Sequence, residues 1–372
     1  MHNEIYFKYY IVMKQGRILF FLFLLYICLL NACKSEDTHT VLELFPESHP
    51  LSEKKVYDIN EDSLAVIEGL VCDGENLIVY DYHSNSSYTL FDEKTGEFIA
   101  RFGTIGQGPI EIPVGCYGYL LKGCFSVFDD QTRIVMKYNL DSLRNGKVNA
   151  APKRLTKYDI PDAQISRLIA INDSTFFSAG TYRDRYQYLL FDKNSKVLDY
   201  GVDIYNVADS TFNKYTKFLS NQGDLIMHPK KQKFAYSINL SSNLDFFEIG
   251  DDKIKLTKSL RLGDPISQPV TNTIGGGGMY CSVELTENSQ IGYINLCATG
   301  EYVYALYSDK KAIKSTRKSN VVLVFDWNGN PAKKYLLDTD AYYIAVDEVE
   351  QSMFAAVKNS EGGWSIQCYN LQ

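Results

Sequence analysis

Short runs of apolar residues recur along most of the chain and are separated by polar turns. Each run is continuous, as expected for a strand that is covered on both faces. Small residues inside the runs, such as Ala179 and Ala305, would fit the narrow centre of a closed ring. The six clearest runs begin about 50 to 70 residues apart: they are Leu77–Asp81, Phe125–Asp129, Phe176–Gly180, Phe234–Ile238, Val303–Tyr307 and Met353–Val357.

A second run follows each of these and closes with an aromatic residue and then Asp, Asn or Glu. The six are Tyr88–Asp92, Val135–Asn139, Tyr188–Asp192, Leu244–Glu248, Leu323–Asp326 and Ile366–Asn370. Turn residues such as Lys94–Gly96 and Asn328–Asn330 come next and indicate a hairpin into a further strand. No amphipathic pattern is long enough for a helix of about ten residues. The pattern therefore predicts an all-β fold, a six-bladed β-propeller of four-stranded antiparallel blades, with a β-sandwich pair or an open solenoid as the alternative.

The strand pattern also sets the limits of the blades. Five blades are expected at 64–102, 113–158, 164–202, 216–261 and 291–338, and a sixth from Ala341 to the end. The sixth contains only three strands, so we expect the N-terminal segment to supply its outer strand, from about Lys55–Ile59 or Val41–Leu44. Pairing the first and last strands would close the ring and leave neither strand with an unpaired sheet edge.

The N-terminal region has the features of a secretory leader. Lys14 and Arg17 precede the apolar run Ile18–Leu30, which is shorter than the roughly 18–20 residues of a membrane-spanning helix. The run ends in Leu-Asn-Ala-Cys at Cys33, which resembles the lipobox of bacterial lipoproteins. That resemblance implies a signal peptide over 1–32, a lipidated tether over 33–40 and the propeller over 41–372. An uncleaved anchor or a buried cysteine is the alternative.

Two further resemblances concern bacterial surface proteins. Lys34–Asp37 resembles the short acidic tag of surface lipoproteins in Bacteroidetes, and the periplasmic and surface sides of the outer membrane both stay open. Phe102–Glu111 contains the G-x-x-G-x-G-P-x-E segment of the six-bladed TolB-like propeller lipoproteins of Bacteroidetes. Leu90–Ile99 resembles that family's first blade, and Tyr302–Ser308 its penultimate blade. The resemblance implies a fold and an envelope location, but no biochemical activity.

Composition and charge exclude one class of function. The chain has 38 basic and 45 acidic side chains and a net charge of −7, so it lacks the basic field of a general nucleic-acid binder. The predicted domain has six irregularly spaced cysteines and no C-x-x-C pair, and we expect free thiols. If any disulfide formed, Cys116–Cys124 or Cys281–Cys297 would be favoured, because these pairs are closest in sequence.

Loop length predicts which face of the propeller carries function. In a four-stranded antiparallel blade, the loop between the second and third strands and the connection to the next blade emerge on the same face. The longest of these segments are Gly103–Ile112, Asp203–Tyr215, Leu262–Gln290 and Ser308–Asn320. We call this side the long-loop face. Binding is expected there, since binding residues concentrate on loops held by a rigid scaffold.

The candidate ligand or partner residues on this face are mostly basic, polar or aromatic. Arginine with tyrosine suits polar ligands, and a lysine-rich loop suits acidic sugars or a partner's acidic patch. Salt bridges between loops and a solvated mobile loop are the alternatives. Gly275–Gly278 lacks the Gly-Lys-Ser/Thr of a phosphate-binding loop and predicts a flexible segment. The candidates are Gln107, Glu111, Tyr182, Arg183, Arg185, Tyr280, Lys310, Lys314 and Arg317.

The sequence does not predict an enzyme, a metal site or a cofactor. The histidines near or in the domain (His39, His49, His83 and His228) are too scattered to meet at one metal, and no calcium loop or G-x-S-x-G motif occurs. The leading hypothesis is a lipid-anchored envelope propeller that binds a carbohydrate, a peptide or a component of a nutrient-uptake complex through its long-loop face. The alternative is a hydrolase or lyase acting on glycans or peptides, which three or more polar groups converging at the central pore would favour. A third hypothesis is a scaffold without a deep pocket.

Overall fold

The computed structural model describes residues 40–57, 64, 66–83, 85–113, 116–121, 123–146, 151–274, 278–359 and 361–371. The predicted signal peptide, the lipidation site Cys33 and the tether up to residue 39 lie outside the described residues, as do Gly275–Gly277. No helix in the described part is long and apolar enough to cross a membrane.

The first four blades are antiparallel sheets of four strands in sequence order. An N-terminal segment precedes them and contains a 3-10 helix (Val41–Leu44), β1 (His49–Leu51) and β2 (Glu53–Tyr57). Blade I contains β3 (Ile67–Cys72), β4 (Asn76–His83), β5 (Ser86–Asp92) and β6 (Phe98–Thr104). Blade II contains β7 (Gly118–Leu121), β8 (Cys124–Asp129), β9 (Ile134–Asn139) and, after the short helix α1 (Leu140–Arg144), β10 (Lys153–Lys157). Blade III contains β11 (Gln164–Ala170), β12 (Thr175–Tyr182), β13 (Tyr186–Asp192) and β14 (Val197–Asp203).

The last three blades include two additions to the basic pattern. Helix α2 (Lys214–Ser220) leads into blade IV, with β15 (Gly223–Met227), β16 (Lys233–Ile238), β17 (Leu244–Gly250) and β18 (Lys253–Leu260). A separate two-stranded ribbon follows, formed by β19 (Gln268–Ile274) and β20 (Gly278–Glu284). Blade V contains β21 (Tyr293–Ala298), β22 (Tyr302–Tyr307), β23 (Ser319–Asp326) and β24 (Pro331–Ala341). Blade VI contains β25 (Tyr343–Val346), β26 (Ser352–Lys358) and β27 (Trp364–Asn370).

The N-terminal segment closes the ring, which confirms the predicted closure. Strand β2 pairs antiparallel with β27 as the outer strand of blade VI, with Tyr57 opposite Ile366. The strand begins two residues earlier than the predicted Lys55, and the alternative Val41–Leu44 is a 3-10 helix. Strand β1 was not predicted: it pairs parallel with β24 and adds a fifth strand to blade V.

The hydrophobic core is divided into six clusters, one between each pair of neighbouring blades. Aromatic residues dominate them: Phe125 of blade II, for example, is fully buried and contacts Tyr80, Tyr88 and Phe102 of blade I edge to face. Burying one such side chain stabilises the fold by roughly 1.5–3 kcal/mol. Blade-to-blade packing, rather than one central core, therefore holds the ring and leaves its axis free.

Three sequence expectations need correction. Blade IV begins at Gly223 and not near residue 216, because Asn213 accepts hydrogen bonds from the backbone N–H groups of Tyr215 and Thr216 and so caps helix α2. The segment 262–290 contains the β19–β20 ribbon and is not a simple loop. The lysine-rich loop predicted over Ser308–Asn320 ends at Lys318, since Ser319 and Asn320 belong to β23; we call 308–318 the basic loop.

None of the six cysteines in the described domain forms a disulfide, so neither Cys116–Cys124 nor Cys281–Cys297 is a pair. Cys116 and Cys368 are buried, and the other four are half-buried. This agrees with the expectation of free thiols. The packing between blades explains why a domain of this size does not need disulfide bonds.

Candidate functional site

A channel runs along the axis of the ring and has a volume of about 400 Å³. The innermost strand of every blade lines it: β3, β7, β11, β15, β21 and β25. Each of these strands begins at the long-loop face and ends at a short turn on the opposite face. The first residues of the inner strands therefore surround the end of the channel at the long-loop face.

Polar side chains gather at that end. Six of them line the channel and lie on, or next to, the early part of an inner strand or on a loop of the same face. We call this set the channel mouth: it consists of Glu68, Tyr117, Arg167, Asp224, Arg317 and Tyr343.

An ion pair joins blades III and IV at the channel mouth. The Nε of Arg167 donates to the Oδ1 of Asp224 at 3.2 Å, and the two side chains are 17% and 23% exposed. Tyr117 lies against the guanidinium, with its ring centre 3.6 Å away. Burial opposes the charge on Arg167, but the Asp224 carboxylate outweighs it and raises the pKa of Arg167. Arg167 therefore presents a fixed, permanently charged guanidinium stacked on an aromatic ring.

Asp224 also ties this pair to blade V, because its Oδ2 accepts the backbone N–H of Leu296 at 2.9 Å. The preceding residue, Asn295, joins blade V to blade VI: its side-chain amide donates to the Ile344 carbonyl and accepts the Ile344 N–H, both at 3.0 Å. Tyr80 links blades I and II in the same way, with its hydroxyl 2.6 Å from the Gly118 carbonyl. These buried bonds hold the inner strands in a rigid ring around the channel.

Arg317 enters the channel mouth from the basic loop between β22 and β23. Its Nη2 donates to the Ile294 carbonyl at 3.4 Å. The side-chain amide of Asn239, oriented to satisfy both neighbours, donates to the Tyr293 carbonyl and accepts from the same Nη2 at 3.3 Å. Arg317 is exposed and has no carboxylate partner among the described residues. Its guanidinium is thus oriented by neutral acceptors and keeps its charge available.

Tyr343 and Glu68 meet across the boundary between blades VI and I. The Tyr343 hydroxyl donates to Glu68 Oε2 at 3.4 Å. Burial and the nearby Glu68 charge raise the pKa of Tyr343, so its phenol stays protonated at neutral pH. The Arg317 charge acts in the opposite direction and lowers the pKa of Tyr343, but burial outweighs it. Among the described residues, no group of three or more His, Cys, Asp or Glu side chains could hold a metal ion.

Comparison with known proteins identifies the fold family. Residues 70–349 match the family described as TolB-like 6-blade propeller-like. The chain belongs to this family. No curated protein matches it.

Solved structures resemble this TolB-like propeller at low sequence identity. A member of the duf4221 family from Bacteroides vulgatus is 11% identical, with 87% of this chain and 98% of that chain covered and a TM-score of 0.51. A Bacteroides fragilis protein that is named as an exported protein is also 11% identical, covers 90% and 97%, and has a TM-score of 0.47. At this identity the first similarity shows the fold alone.

The family-like segment of the propeller turns out to be a closed turn. Gly108 N–H donates to Glu111 Oε2 at 2.7 Å, and the Gly106 N–H donates to the Ile112 carbonyl at 3.0 Å. A Cβ at Gly106 would lie 2.0 Å from the same carboxylate oxygen, so the absence of a side chain there lets Glu111 fold against the loop backbone. Glu111 is therefore used to shape the loop, while Gln107 is exposed beside it.

The other predicted site residues are spread over the propeller. Tyr182 is buried in the core and donates to Ser178 Oγ at 2.7 Å, and Arg185 forms a two-pronged ion pair with Asp203. Arg183 lies over the Tyr200 ring, and Tyr280 is exposed on the ribbon. Lys310 lies 3.8 Å from Asp340, and Lys314 is exposed. Of the nine candidates, the structure brings only Arg317 into the channel.

Sequence reasoning missed five residues of the channel mouth: Glu68, Tyr117, Arg167, Asp224 and Tyr343. One signal was present in the sequence, because Glu68, Arg167 and Asp224 are each the single charged residue of a mainly apolar inner strand. A buried charge in such a strand is costly without a partner, and the partner here belongs to a different blade. The sequence pattern could therefore have identified these residues as unusual, but it could not have shown that they meet at one end of the channel.

Proposed function

We propose that this TolB-like propeller is a lipid-anchored envelope protein that binds a polar ligand in its channel mouth. The observation that supports the proposal is the convergence of two guanidinium groups, two carboxylates and two tyrosines at one end of the channel. A concave site with a few fixed polar groups is the usual form of a small-ligand site. The rigid ring behind these groups lowers the ordering cost of binding.

Tyr117 offers the clearest test of this binding site. Its ring is 41% exposed and packs against Arg167, so Tyr117→Ala would remove a stacking surface at little cost to the fold. We expect the variant to bind the ligand found in a glycan and peptide screen about tenfold more weakly by isothermal titration calorimetry, because one aromatic contact contributes roughly 1–2 kcal/mol.

Tyr280 supplies the matched control, because it is 52% exposed on the ribbon and does not line the channel. Tyr280→Ala should leave the affinity unchanged. Equal loss of affinity in both variants, or loss in Tyr280→Ala alone, would move the binding site away from the channel. A screen in which the full-length protein binds no glycan or peptide would reject a small-ligand function.

The envelope location rests on the N-terminal sequence, where an apolar leader ends in the lipobox-like Leu30–Cys33. Thioether lipidation needs the Cys33 thiol, and a lipid anchor is what would keep a chain with this short apolar run on a membrane. We expect Cys33→Ala to move the protein from the membrane fraction to the soluble fraction on ultracentrifugation. A Cys33→Ala protein that stays in the membrane fraction would contradict lipid anchoring.

A second candidate function is a hydrolase or lyase that acts on a glycan or peptide at the same place. The observation that favours it is the Tyr343–Glu68 hydrogen bond beside Arg317, since more than three polar groups converge here. In such a reaction the protonated Tyr343 would serve as the acid and Glu68 as the base. Mass spectrometry of a bound ligand before and after incubation tests this function: unchanged ligand excludes it, and turnover abolished by Tyr343→Phe supports it.

A further inference from the structure

The charged side chains of the channel mouth divide into a paired and an unpaired set. Arg167 and Asp224 neutralise each other, and Asp224 is further satisfied by the Leu296 N–H. Glu68 and Arg317 form no ion pair with any described residue. Among the six residues of the channel mouth, Glu68 is therefore the unpaired negative group and Arg317 the unpaired positive group, and both line the same channel.

These two unpaired groups line the same channel but form no ion pair with each other. Glu68 on blade I accepts the Tyr343 hydroxyl, and Arg317 lines the same channel from the loop of blade V. Neutral partners, the Ile294 carbonyl and Asn239, orient the Arg317 guanidinium. Both charged groups are thus held by neutral neighbours rather than by each other.

The remaining charges of the channel do not cancel this arrangement. Asp130 also lines the channel, on the turn between β8 and β9 at the long-loop face, and it adds negative charge without an ion pair among the described residues. Asp73 and Glu348 line the channel at its other end, on turns of the opposite face. A purely anionic ligand would meet more carboxylates than guanidinium groups along the channel, whereas a ligand with both charges would match the two unpaired groups of the mouth.

We propose that the ligand is a zwitterion with a free ammonium group and a free carboxylate, namely an amino acid or a short peptide with free ends. Glu68 accepts the ammonium N–H groups, and Arg317 binds the carboxylate. Tyr117 and Tyr343 line the same channel. This inference rests on the proposed function, because it assigns the ligand class of the same channel mouth.

The experiment uses random-sequence tripeptides with free ends, the same mixture N-acetylated, the same mixture C-amidated, and free glycine. Binding to the full-length protein, purified in detergent, is measured by thermal shift and isothermal titration calorimetry. We expect the free tripeptides to bind at least about tenfold more tightly than either blocked mixture, which is the cost of losing one charge-assisted hydrogen bond. Binding of free glycine alone would indicate an amino acid as the ligand, and binding of the tripeptides would indicate a peptide.

Two variants assign the ends of the ligand to their partners. The Glu68→Gln variant should bind the free and the N-acetylated mixtures equally well. It should still bind the free mixture more tightly than the C-amidated mixture. Arg317→Gln should do the reverse. Lys314→Gln, on the same loop as Arg317 but outside the channel, and Glu348→Gln, at the other end of the channel, are the controls and should keep both preferences.

The outcomes separate the two proposals. Equal binding of free and blocked peptides, or binding of a neutral glycan that Tyr117→Ala weakens, would reject the zwitterion and leave the channel mouth as a binding site. A free-peptide preference that neither Glu68→Gln nor Arg317→Gln alters would reject the assignment of these residues. If neither free nor blocked peptides nor glycans bind, both proposals are wrong.

Discussion

The two ends of the channel are formed by the same six strands but use charged side chains differently. At the mouth, Glu68 and Arg317 point their charges into shared space without an ion-pair partner among the described residues. At the opposite end, Asp73 and Asp347 accept hydrogen bonds from their own turns, from Asn76 N at 2.9 Å and Gln351 N at 2.8 Å. The Asp73 and Asp347 charges therefore support turn structure, whereas Glu68 and Arg317, unlike the paired Arg167 and Asp224, are left for binding.

Loop length explains this difference. A turn of three to five residues cannot pair all of its backbone N–H groups internally, and an Asp at its start supplies the missing acceptor. Glu93 plays a related role: its Oε2 accepts the Gly74 N–H at 2.6 Å, and the Tyr57 hydroxyl of the closing strand donates to its carbonyl at the same distance. The longer connections of the long-loop face bond within themselves, as in the 105–112 segment, and leave side chains free to enter the channel.

The largest expected effect comes from Asp224→Ala, which would break the link between blades III, IV and V. Removal of the Asp224 carboxylate would leave the Arg167 guanidinium and the Leu296 N–H without their hydrogen-bond acceptor. We expect the free energy of unfolding to fall by about 4 kcal/mol, measured by urea denaturation, because an unpaired, mostly buried charge is costly. Asp159→Ala breaks an exposed pair with Arg133 and should cost at most about 1 kcal/mol. Similar losses in the two variants would contradict the structural role of the Asp224 link.

The next effect concerns pH and the opposite end of the channel. Burial, and then the charges of Asp347 and Asp73, raise the pKa of Glu93 from 4.5 to about 7, although the Gly74 N–H opposes them. The folded state thus holds this proton more tightly than the unfolded state. The free energy of unfolding should therefore fall as pH rises from about 4.5 to about 7, by roughly 3 kcal/mol, and level off above.

Glu93→Gln isolates this contribution, because glutamine keeps an acceptor for Gly74 but cannot ionise. The variant should match the unchanged protein near pH 4 and exceed its free energy of unfolding by roughly 3 kcal/mol at pH 8. Burial also raises the pKa of Asp347, which adds a smaller slope of the same sign that remains in the variant. Parallel pH profiles for the two proteins would contradict the placement of Glu93 in a buried acidic setting.

The smallest effect is expected for Lys314→Gln. Lys314 ends a short 3-10 helix in the basic loop, is exposed and has no ion-pair partner among the residues described. Its substitution should change the free energy of unfolding by less than about 0.5 kcal/mol, as judged by urea denaturation. A larger loss would show that the basic loop supports the fold, and would remove its value as a neutral control for Arg317.

The blade pattern illustrates how much of the fold can be predicted from the chain. The second and third strands of the blades are continuous apolar runs, and their spacing predicts six units and the strand that closes the ring. Elements that depend on tertiary partners were not predicted from this pattern. Strand β1 is three residues long and is stable only as an addition to β24. The β19–β20 ribbon lies in a segment with few strand signals. Helix α2 was missed because its cap, Asn213, outweighs the β-branched and aromatic residues that follow it.

The sequence by itself determined the repeat, the all-β class and the side of the ring with long loops, because apolar periodicity and turn residues are local properties of the chain. Only the tertiary structure decided which side chains share the channel. Glu68, Arg167, Asp224, Arg317 and Tyr343 come from five different blades, and no local pattern reports distances between strands that are dozens of residues apart. Closure of the ring brings the starts of all inner strands to one end of the axis, and charges buried there must find partners on neighbouring blades or be left for a ligand.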